Sequence, residues 1–421
     1  MKKNSASFYI LIVCVFASLF LLCGCQKNSE ISIVTVTDTH FAGRSSHSYE
    51  GEYLEANDTN GSGKQMRYLD DIVDAFIDQM KEEEPEYVLI TGDLSYNGAK
   101  ASHTEFAEKL RALKETGITV LVVPGNHDIV SYAFTFPEGE AVESDPTTPE
   151  DFTEIYADFG YSGALSYDEN SLSYVYDTGK GARIFMLDTN LSYGTIYGKL
   201  SKETLGWLEE QLKACSEAGD IPIAAGHHNL ILHNPLFTLG YLISNNSEVQ
   251  ELFEKYGVTV YFSGHIHTQH ISSDENVTDI VNESFAVYPH RYGYLSIGED
   301  GWNYESRTTD VAGYAQKAEL SDENLLNYED YGFNFFYNNA YNQAKGRLTD
   351  LITDPDKLEE FSVFSAKANV YYFGGTLSML DTSAADEFYK SAAGTRWGEY
   401  INFVVQDTSD QLSCSYQNET E

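Results

Sequence analysis

Five hydrophobic runs of this 421-residue chain end in residues that can bind metal ions or transfer protons. In chain order, the polar residues after these runs are Asp38 and His40, Asp93, Asn126 with His127 and Asp128, His227 with His228, and His265 with His267. Imidazole, carboxylate and amide groups without Cys suit Mn, Fe or Zn and argue against a site for soft metals. Open α/β sheets place their sites at the carboxyl ends of strands, so we expect these groups to converge at one rim.

The spacing within two of these groups adds an expectation about geometry. Asp38 and His40 are two positions apart, as are His265 and His267. Side chains of an extended strand alternate with a period of two, so each pair is expected to point to one side of its strand. A lone Asp-x-His or Gly-Asp is a weak signal, because such fragments occur by chance in long chains. Their combination in fixed order, each after a hydrophobic strand, predicts a metal site.

The elements that must position these residues are strands and helices in alternation. A strand is predicted before each polar group, and helices with apolar residues at helical spacing are predicted between strands, as at 66–80 and behind the cap residue Ser201. This alternation is typical of a largely parallel sheet with helices packed outside it. Near 292–306 the pattern indicates a hairpin with Asp300 and Gly301 at its turn, which adds antiparallel strands.

Residues 310–421 differ in character from the rest of the chain. They contain helical patterns rich in Asp, Asn and Tyr, and we interpret them as a helical appendage. Its aromatic residues are expected to pack a core and not to form a platform for sugars or bases. If the appendage is an independent partner-binding module, its deletion should leave folding and turnover intact.

Residues 1–25 have the organisation of an export signal. A short basic head precedes an apolar run at 8–22, and small residues follow. The end resembles a bacterial lipobox, whose Cys25 would become the lipidated first residue; Cys23 is less suitable because Leu22 would precede its cleavage site. An uncleaved transmembrane anchor is the alternative, but about fifteen apolar residues are short for a hydrocarbon core of roughly 30 Å. We therefore expect a lipid-anchored protein on the extracytoplasmic face of a bacterial membrane.

Charge and cysteine content narrow the class of partner. The formal net charge is −39, which repels nucleic acid and anionic lipid at long range. Duplex nucleic acid is therefore an unlikely substrate, and an anionic substrate must be attracted by local positive charge. Outside residues 1–25 the chain has only Cys215 and Cys414, so we expect no disulfide framework.

The order D-x-H, G-D, G-N-H-D, H and G-H-x-H resembles that of the calcineurin-like metallophosphoesterases over roughly residues 31–300. The resemblance implies an α/β fold, specifically an α/β/β/α sandwich of two mixed sheets, here with a C-terminal mainly helical appendage. It divides the chain into a signal peptide at 1–25, a metallophosphoesterase domain at 26–309 and the appendage at 310–421.

The resemblance also implies a ligand set for two divalent or trivalent ions, with Mn, Fe or Zn as candidates. One ion would be held by Asp38, His40, Asp93 and His267, and the other by Asp93, Asn126, His227 and His265, with Asp93 bridging. A hydroxide shared by the two ions would attack phosphorus in line. His40 stands where purple acid phosphatases supply a tyrosinate, so no coloured iron site of that kind is expected.

Two residues of the G-N-H-D motif are implied to act in catalysis without binding metal. His127 is the candidate for protonating the leaving oxygen or stabilising the charge that develops there. Asp128 would orient the imidazole of His127, and Gly125 would allow the tight turn that holds the motif. We expect structural roles for His103, Asp188 and His228, and solvated loop positions for Arg44 and His47.

These residues predict a metal-dependent hydrolase of small-molecule phosphoesters. A phosphodiester is favoured, because the block TGDLSYNG looks closer to the cyclic-nucleotide phosphodiesterase branch than to the exonuclease branch. A phosphomonoesterase of the 5'-nucleotidase type is an alternative, since it uses the same metal pair and differs in pocket shape. A non-catalytic surface binding lipoprotein is the second alternative, but it would be favoured by a missing ligand, and none is missing.

Overall fold

The structure is a computed structural model that describes residues 30–59, 63–407 and 409–418. The predicted signal segment and Cys25 lie outside these residues. The strands are β1 (Ile31–Val36), β2 (Tyr87–Thr91), β3 (Thr119–Val123), β4 (Ala133–Thr135), β5 (Val142–Ser144), β6 (Ser166–Tyr167), β7 (Tyr174–Asp177), β8 (Ala182–Leu187), β9 (Ile221–Gly226), β10 (Val260–Ser263), β11 (His270–Ser273), β12 (Thr278–Val281), β13 (Arg291–Gly298), β14 (Gly301–Thr308) and β15 (Ser413–Gln417).

The helices cluster on the outer faces of the sheets and in the C-terminal region. They are α1 (Gly51–Thr59), α2 (Leu69–Glu83), α3 (Lys100–Lys114), α4 (Pro149–Ile155), α5 (Lys202–Ala218), α6 (Asn246–Tyr256), α7 (Val311–Lys317), α8 (Glu323–Leu326), α9 (Tyr328–Leu348), α10 (Pro355–Phe373), α11 (Ala385–Ala392) and α12 (Arg396–Gln406). Among the residues described, none of these helices has the length and apolar content needed to span a bilayer.

Two mixed sheets form the centre of the molecule. The first has the order β15-β14-β13-β1-β2-β3, and the second has the order β11-β12-β10-β9-β8-β7-β6. Strands β1, β2 and β3 are parallel, as are β8, β9, β10 and β12, whereas the outer strands are antiparallel. The alternation of strands and helices alone predicts one largely parallel sheet, so the division into two sheets follows from the resemblance and is confirmed.

The layers of the sandwich are held together by two apolar cores, one on each face of the second sheet. Val122 of β3 and Met186 of β8 are fully buried in one core shared by the two sheets, and this core extends to α2 and α3 on the outside of the first sheet. A second core lies between the other sheet and its helices, where Leu208 of α5 and Phe253 of α6 pack against Phe185 of β8. The α/β/β/α architecture is therefore confirmed.

The C-terminal region is joined to the sandwich through the main core, a sheet strand and further hydrogen bonds. Val311, Leu325 and Tyr328 belong to the main core, and strand β15 returns to pair with β14. The described part of residues 310–418 is thus mainly but not wholly helical. Their deletion would remove core side chains and a sheet strand, which does not agree with an independently removable module. The domain boundaries at 25 and 309 stay predictions.

Several local signals in the sequence correspond to observed elements. The side chain of Ser201 accepts a hydrogen bond from Thr204 N and caps α5 as expected. In the late hairpin, Gly298 pairs with Gly301, so the two loop residues are Glu299 and Asp300 and not Asp300 and Gly301. Both described cysteines are free, as expected.

Candidate metal centre

The polar groups after the five strands meet at one edge of the sandwich. Strands β1, β2 and β3 belong to the first sheet and β9 and β10 to the second, and their carboxyl ends face the same side. The structure brings all seven predicted metal ligands together, in two groups that share Asp93.

The backbone that presents these ligands is not extended. Five of them, Asp38, His40, Asp93, His265 and His267, have φ between 43° and 71°. This left-handed region is unfavourable for residues other than Gly and is retained where the surroundings fix the backbone, often at functional sites. The expectation that each Asp-x-His or His-x-His pair points to one side of a strand is therefore wrong: the pairs lie beyond the strand ends, in loops that turn sharply.

The first group consists of Asp38, His40, Asp93 and His267. His267 Nε2 lies 3.2 Å from Asp38 Oδ1 and 3.2 Å from His40 Nε2. His40 Nε2 is also 3.8 Å from Asp38 Oδ1 and 3.9 Å from Asp93 Oδ2. Two imidazole nitrogens and two carboxylate oxygens thus face one small volume.

The second group consists of Asp93, Asn126, His227 and His265. His227 Nε2 lies 3.4 Å from Asp93 Oδ2 and 3.1 Å from Asn126 Oδ1. The ring centroids of His227 and His265 are 4.9 Å apart. Asp93 Oδ2 therefore lies next to ring nitrogens of both groups, as a bridging ligand must.

Hydrogen bonds fix which ring nitrogens face the second group. His227 Nδ1 lies 3.0 Å from the carbonyl oxygen of Thr91, and His265 Nε2 lies 2.8 Å from that of Gly240. A carbonyl oxygen only accepts, so these nitrogens carry hydrogens, and the other nitrogen of each neutral ring presents a lone pair to the centre. When both rings are neutral, acceptor atoms converge here without a donor between them, and a cation relieves their mutual repulsion.

The first group contains buried polar atoms that lack hydrogen-bond partners. Asp38 Oδ1 and His40 Nδ1 are buried and have no hydrogen-bond partner among the described residues. The other oxygen, Asp38 Oδ2, accepts from Thr37 Oγ1 and His265 N and is thereby held in place. Buried polar atoms are nearly always paired, so an unpaired carboxylate oxygen beside two imidazoles fits a metal ligand.

Charges in the centre are strongly coupled. Burial opposes ionisation of Asp93, but the neighbouring His227 and His127 hold the pKa of this carboxyl well below its usual range. Burial also opposes a charge on His227, yet Asp93 raises the pKa of this ring to about 9. The carboxylates thus favour a positive charge between the acceptor atoms. A proton or a metal ion can supply this charge, and protons and metal ions compete for the site.

His127 lies beside the two groups without joining them. Its backbone N–H donates to Asp93 Oδ1 over 2.8 Å, and its ring centroid is 5.0 Å from that of His40. Nδ1 lies 3.1 Å from the carbonyl oxygen of Tyr96 and so carries a hydrogen. Nε2 can therefore donate a proton only from the cationic ring; burial lowers the pKa of His127, and the negative charge of Asp93 opposes that shift.

The expected role of Asp128 is not what the structure shows. Its carboxylate makes no contact with His127 and instead accepts hydrogen bonds from the backbone N–H groups of Leu94, Ser95 and Gly125. It therefore joins the loop after β2 to the loop after β3. The carbonyl of Tyr96, and not Asp128, orients the His127 ring.

Gly125 is required for close approach and not for an unusual turn. A Cβ at this position would lie 2.2 Å from Asp93 N and 2.3 Å from Asp93 Oδ1. The loop after β3 can lie against the bridging carboxylate only without a side chain here.

Most of the residues for which we expect no part in catalysis or metal binding have the surroundings predicted from the sequence. His103, Asp188 and His228 are buried and hydrogen-bonded to neighbouring groups. Arg44 is exposed and forms ion pairs with two aspartates of α2. His47, expected to be solvated, is instead buried among aromatic rings.

One basic residue beside the centre was missed by the sequence analysis. Lys64 is partly buried, and its side chain forms no hydrogen bond or ion pair with another described residue. It bridges through its backbone to Val287, and the adjacent Ala286 donates to the carbonyl oxygen of Asp38 over 3.4 Å. Burial lowers the pKa of Lys64 to about 8, opposed by the charges of Asp93 and Asp38. The only signal in the sequence is a Lys at the end of the stretch NGSGK.

Two family profiles match the chain. The profile of calcineurin-like phosphoesterases matches residues 31–269, and that of the C-terminal domain of cyclic nucleotide phosphodiesterase matches residues 310–411. The chain belongs to the calcineurin-like phosphoesterase family. It is therefore a metallophosphoesterase, a hydrolase, and the phosphodiesterase interpretation is favoured over the monoesterase alternative.

Individual relatives are distant. A probable cyclic nucleotide phosphodiesterase of Moraxella catarrhalis is 24% identical over 246 residues, which are 58% of this chain and 74% of the relative. A 3',5'-cyclic adenosine monophosphate phosphodiesterase of Vibrio vulnificus is 24% identical over 244 residues, 57% of this chain and 71% of the relative. Among solved structures, a dimetal phosphatase from Danio rerio aligns with a TM-score of 0.48 at 14% identity, covering 66% of this chain and 96% of that one.

Proposed function

We propose that the protein hydrolyses 3',5'-cyclic nucleotides. The observation that carries the proposal is the position of Asp93 Oδ2, 3.9 Å from His40 Nε2 in one group and 3.4 Å from His227 Nε2 in the other. A carboxylate shared by two sets of acceptors suits a pair of ions. The names of the relatives and the matched C-terminal profile support a cyclic nucleotide as the substrate.

Two divalent or trivalent ions, with Mn, Fe or Zn as candidates, fit the donor set of carboxylate, amide and imidazole. Asp38, His40, Asp93 and His267 would hold one ion, and Asp93, Asn126, His227 and His265 the other. When bound, such a pair would polarise the phosphoryl group and activate the attacking water.

The residues of the chain that bind no metal have three tasks in this proposal. His127, tethered through Nδ1 to Tyr96, gives a proton from Nε2 to the leaving oxygen. Lys64 supplies an ammonium group that neutralises the phosphate and attracts it locally, against a surface whose net charge is −39. Asp128 keeps the two loops that carry Asp93 and Asn126 in register.

We also propose an extracytoplasmic location. Its support is the sequence pattern of residues 1–25, with Cys25 as the lipidated residue that would attach the protein to a membrane. Metabolic labelling with a radioactive fatty acid, compared between the wild type and Cys25→Ser, tests this. Label retained in Cys25→Ser would contradict lipidation at this position.

The catalytic proposal is tested with purified protein that lacks residues 1–25. Metal content is measured by elemental analysis, and turnover is measured on 3',5'-cyclic AMP, on AMP and on glycerophosphoethanolamine, each with added Mn, Fe or Zn. We expect two ions per chain and preferential hydrolysis of the cyclic nucleotide. Fewer than one ion after reconstitution, or turnover of AMP alone, would refute the proposal.

A further inference from the structure

A cavity of about 360 Å³ lies where the C-terminal helices meet the loop after β9. Its aromatic lining consists of Phe237, Phe336, Phe373, Trp397 and Tyr400. Most aromatic residues of the C-terminal region pack cores, as expected from the sequence; Phe336, Trp397 and Tyr400 belong to such clusters and line this cavity as well. A cavity lined by aromatic rings suits a flat aromatic group, which can stack against them.

Two arginines line the same cavity. Neither Arg347 nor Arg396 forms an ion pair with a described residue, and the Arg347 guanidinium lies 5.1 Å from the centroid of the Trp397 ring. The chain has 65 Asp and Glu residues against 26 Lys and Arg residues, so arginines without a carboxylate partner are notable at one cavity. Guanidinium groups bind ligands that are anionic or rich in acceptor atoms.

Neutral donors complete the lining. Asn369 Oδ1 accepts from Tyr400 OH over 2.8 Å. The amide Nδ2 of Asn369 forms no hydrogen bond with any described residue. Gln343 also lines the cavity. These donors suit the edge of a heterocyclic ring that carries acceptor nitrogens and oxygens.

The loop after β9 connects this cavity to the metal centre. The ring of Phe237, which lines the cavity, is 5.9 Å from Tyr400 and 5.0 Å from Tyr241. The Tyr241 ring is in turn 5.2 Å from that of His265, a member of the second metal group. The cavity and the centre are thus separated by a single aromatic residue along this path.

A second path leads from the cavity to Lys64. The ring of Phe336 lies against Gly63, where a Cβ would be 2.4 Å from a ring carbon. Gly63 precedes Lys64 and has a φ of 73°, so a larger residue here would be excluded by both contact and backbone. Along this path only the Phe336 ring and the backbone of Gly63 separate the cavity from Lys64.

We propose that this cavity binds the base of a nucleoside phosphodiester whose phosphate lies at the metal centre. The inference rests on the proposed function and deepens it, because it assigns recognition of the nucleoside to the C-terminal region. The base stacks on the aromatic lining, while the arginine and amide groups donate to its ring acceptors. The phosphate and the base of one nucleotide are joined by a single sugar, which is compatible with two adjoining subsites.

The test compares two esters with the same leaving group. Thymidine 5'-(p-nitrophenyl phosphate) carries a nucleoside, and methyl p-nitrophenyl phosphate carries a methyl group in its place. For the wild type we expect kcat/KM to be at least about tenfold higher for the nucleoside ester, because base stacking and its hydrogen bonds add binding free energy. Arg347→Ala and Phe237→Ala should each remove most of this preference, mainly through KM, and leave the methyl ester within about twofold.

The control is Arg111→Ala, which removes an exposed arginine on α3 that pairs with Glu108 and should change neither substrate. A wild type that hydrolyses 3',5'-cyclic AMP but neither ester would refute the subsite, and one that hydrolyses none of the three would refute the proposed function. Hydrolysis of both esters with no preference for the nucleoside would refute the subsite alone. Equal losses on both esters in Arg347→Ala and Phe237→Ala would also refute it, since those residues would then support the fold.

Discussion

At the scale of single residues, Asp93 determines whether the centre can hold two ions. It has a left-handed backbone, accepts the His127 N–H through one oxygen and faces both groups of imidazoles through the other. Asp93→Ala should lose both ions, because the second group loses its only carboxylate and the first group loses one of its two. Elemental analysis after reconstitution checks this, with Asp300→Ala in the β13–β14 loop as the control. A variant that keeps two ions would show that Asp93 does not bridge.

His127 is expected to matter only where the leaving group needs a proton. His127→Ala should keep both ions and lose about 10²- to 10⁴-fold in turnover of 3',5'-cyclic AMP, whose leaving group is an alkoxide. Methyl p-nitrophenyl phosphate should be affected little, because p-nitrophenolate leaves without protonation. Steady-state kinetics on the two substrates measure the difference. Equal losses on both would exclude His127 as the acid.

Asp128 should behave differently from its neighbour. Asp128→Asn replaces an oxygen that accepts backbone N–H bonds by an NH₂ group, so it should lower the free energy of unfolding by about 2 to 3 kcal/mol. Because the loops of Asp93 and Asn126 loosen together, turnover should fall equally for substrates with good and poor leaving groups. Urea unfolding and kinetics on the two substrates used for His127 check this. A selective loss on cyclic AMP would restore the role in orienting His127.

In the proposed function, Lys64 supplies the local positive charge that attracts the phosphate of the substrate. Lys64→Met should keep both ions but reduce kcat/KM for phosphodiesters about 10- to 100-fold, the range of a charge-assisted hydrogen bond. Lys202→Met, at the exposed start of α5, is the matched control. Unchanged kinetics in Lys64→Met would place the ammonium group away from the bound phosphate.

At the scale of elements, strand β15 protects the edge of the first sheet. It pairs antiparallel with β14, and the Tyr416 ring stacks on Trp302 with centroids 6.0 Å apart. Truncation after Gln411 should lower the free energy of unfolding and promote association, because an unpaired β14 edge can pair with another chain. Urea unfolding and analytical ultracentrifugation measure both effects, and truncation after Asn418, which keeps β15, is the control. An equally stable, monomeric short form would contradict this.

The positions of the strands that carry the metal ligands could be predicted from the sequence. Hydrophobic runs such as 119–123 and 221–226 locate the strands that carry ligands, because buried parallel strands are continuously apolar. The loops beyond them could not be predicted, since the left-handed backbone of Asp38 or His267 is fixed by tertiary contacts and has no local signature. Asp128 was misassigned for a related reason: adjacency to His127 in the sequence says nothing about direction across a turn. β15 and Lys64 were missed because each acquires its place only through distant partners.

At the scale of the whole molecule, buried neutral histidines make stability depend on pH. Burial lowers the pKa of His103 from 6.5 to about 4. Between pH 6.5 and pH 4 the unfolded chain therefore binds a proton at His103 that the folded chain does not bind. The free energy of unfolding thus falls as the pH drops from 6.5 towards 4. This residue should account for about 2 kcal/mol of the stability lost between pH 7 and pH 5.

The variant His103→Gln isolates that contribution. Its free energy of unfolding is lower at every pH, but the difference between pH 7 and pH 5 should shrink by about 2 kcal/mol relative to the wild type. Urea unfolding at the two pH values measures this difference. Ser102→Ala, at a buried neighbour on the same helix, should keep the wild-type dependence. A full pH dependence in His103→Gln would show that the ring is protonated in the folded protein.

Strand β1 also fixes the point at which anything attached to its start joins the molecule. Ile31 begins the strand and Asp38 lies just past its carboxyl end, so the six residues of β1 separate them by about 20 Å. Chain that precedes Ile31 therefore joins the body at the opposite pole from the catalytic rim. A tether there would leave the rim turned towards open solution, and substrates would arrive by free diffusion without first crossing the surface to which the protein is fastened.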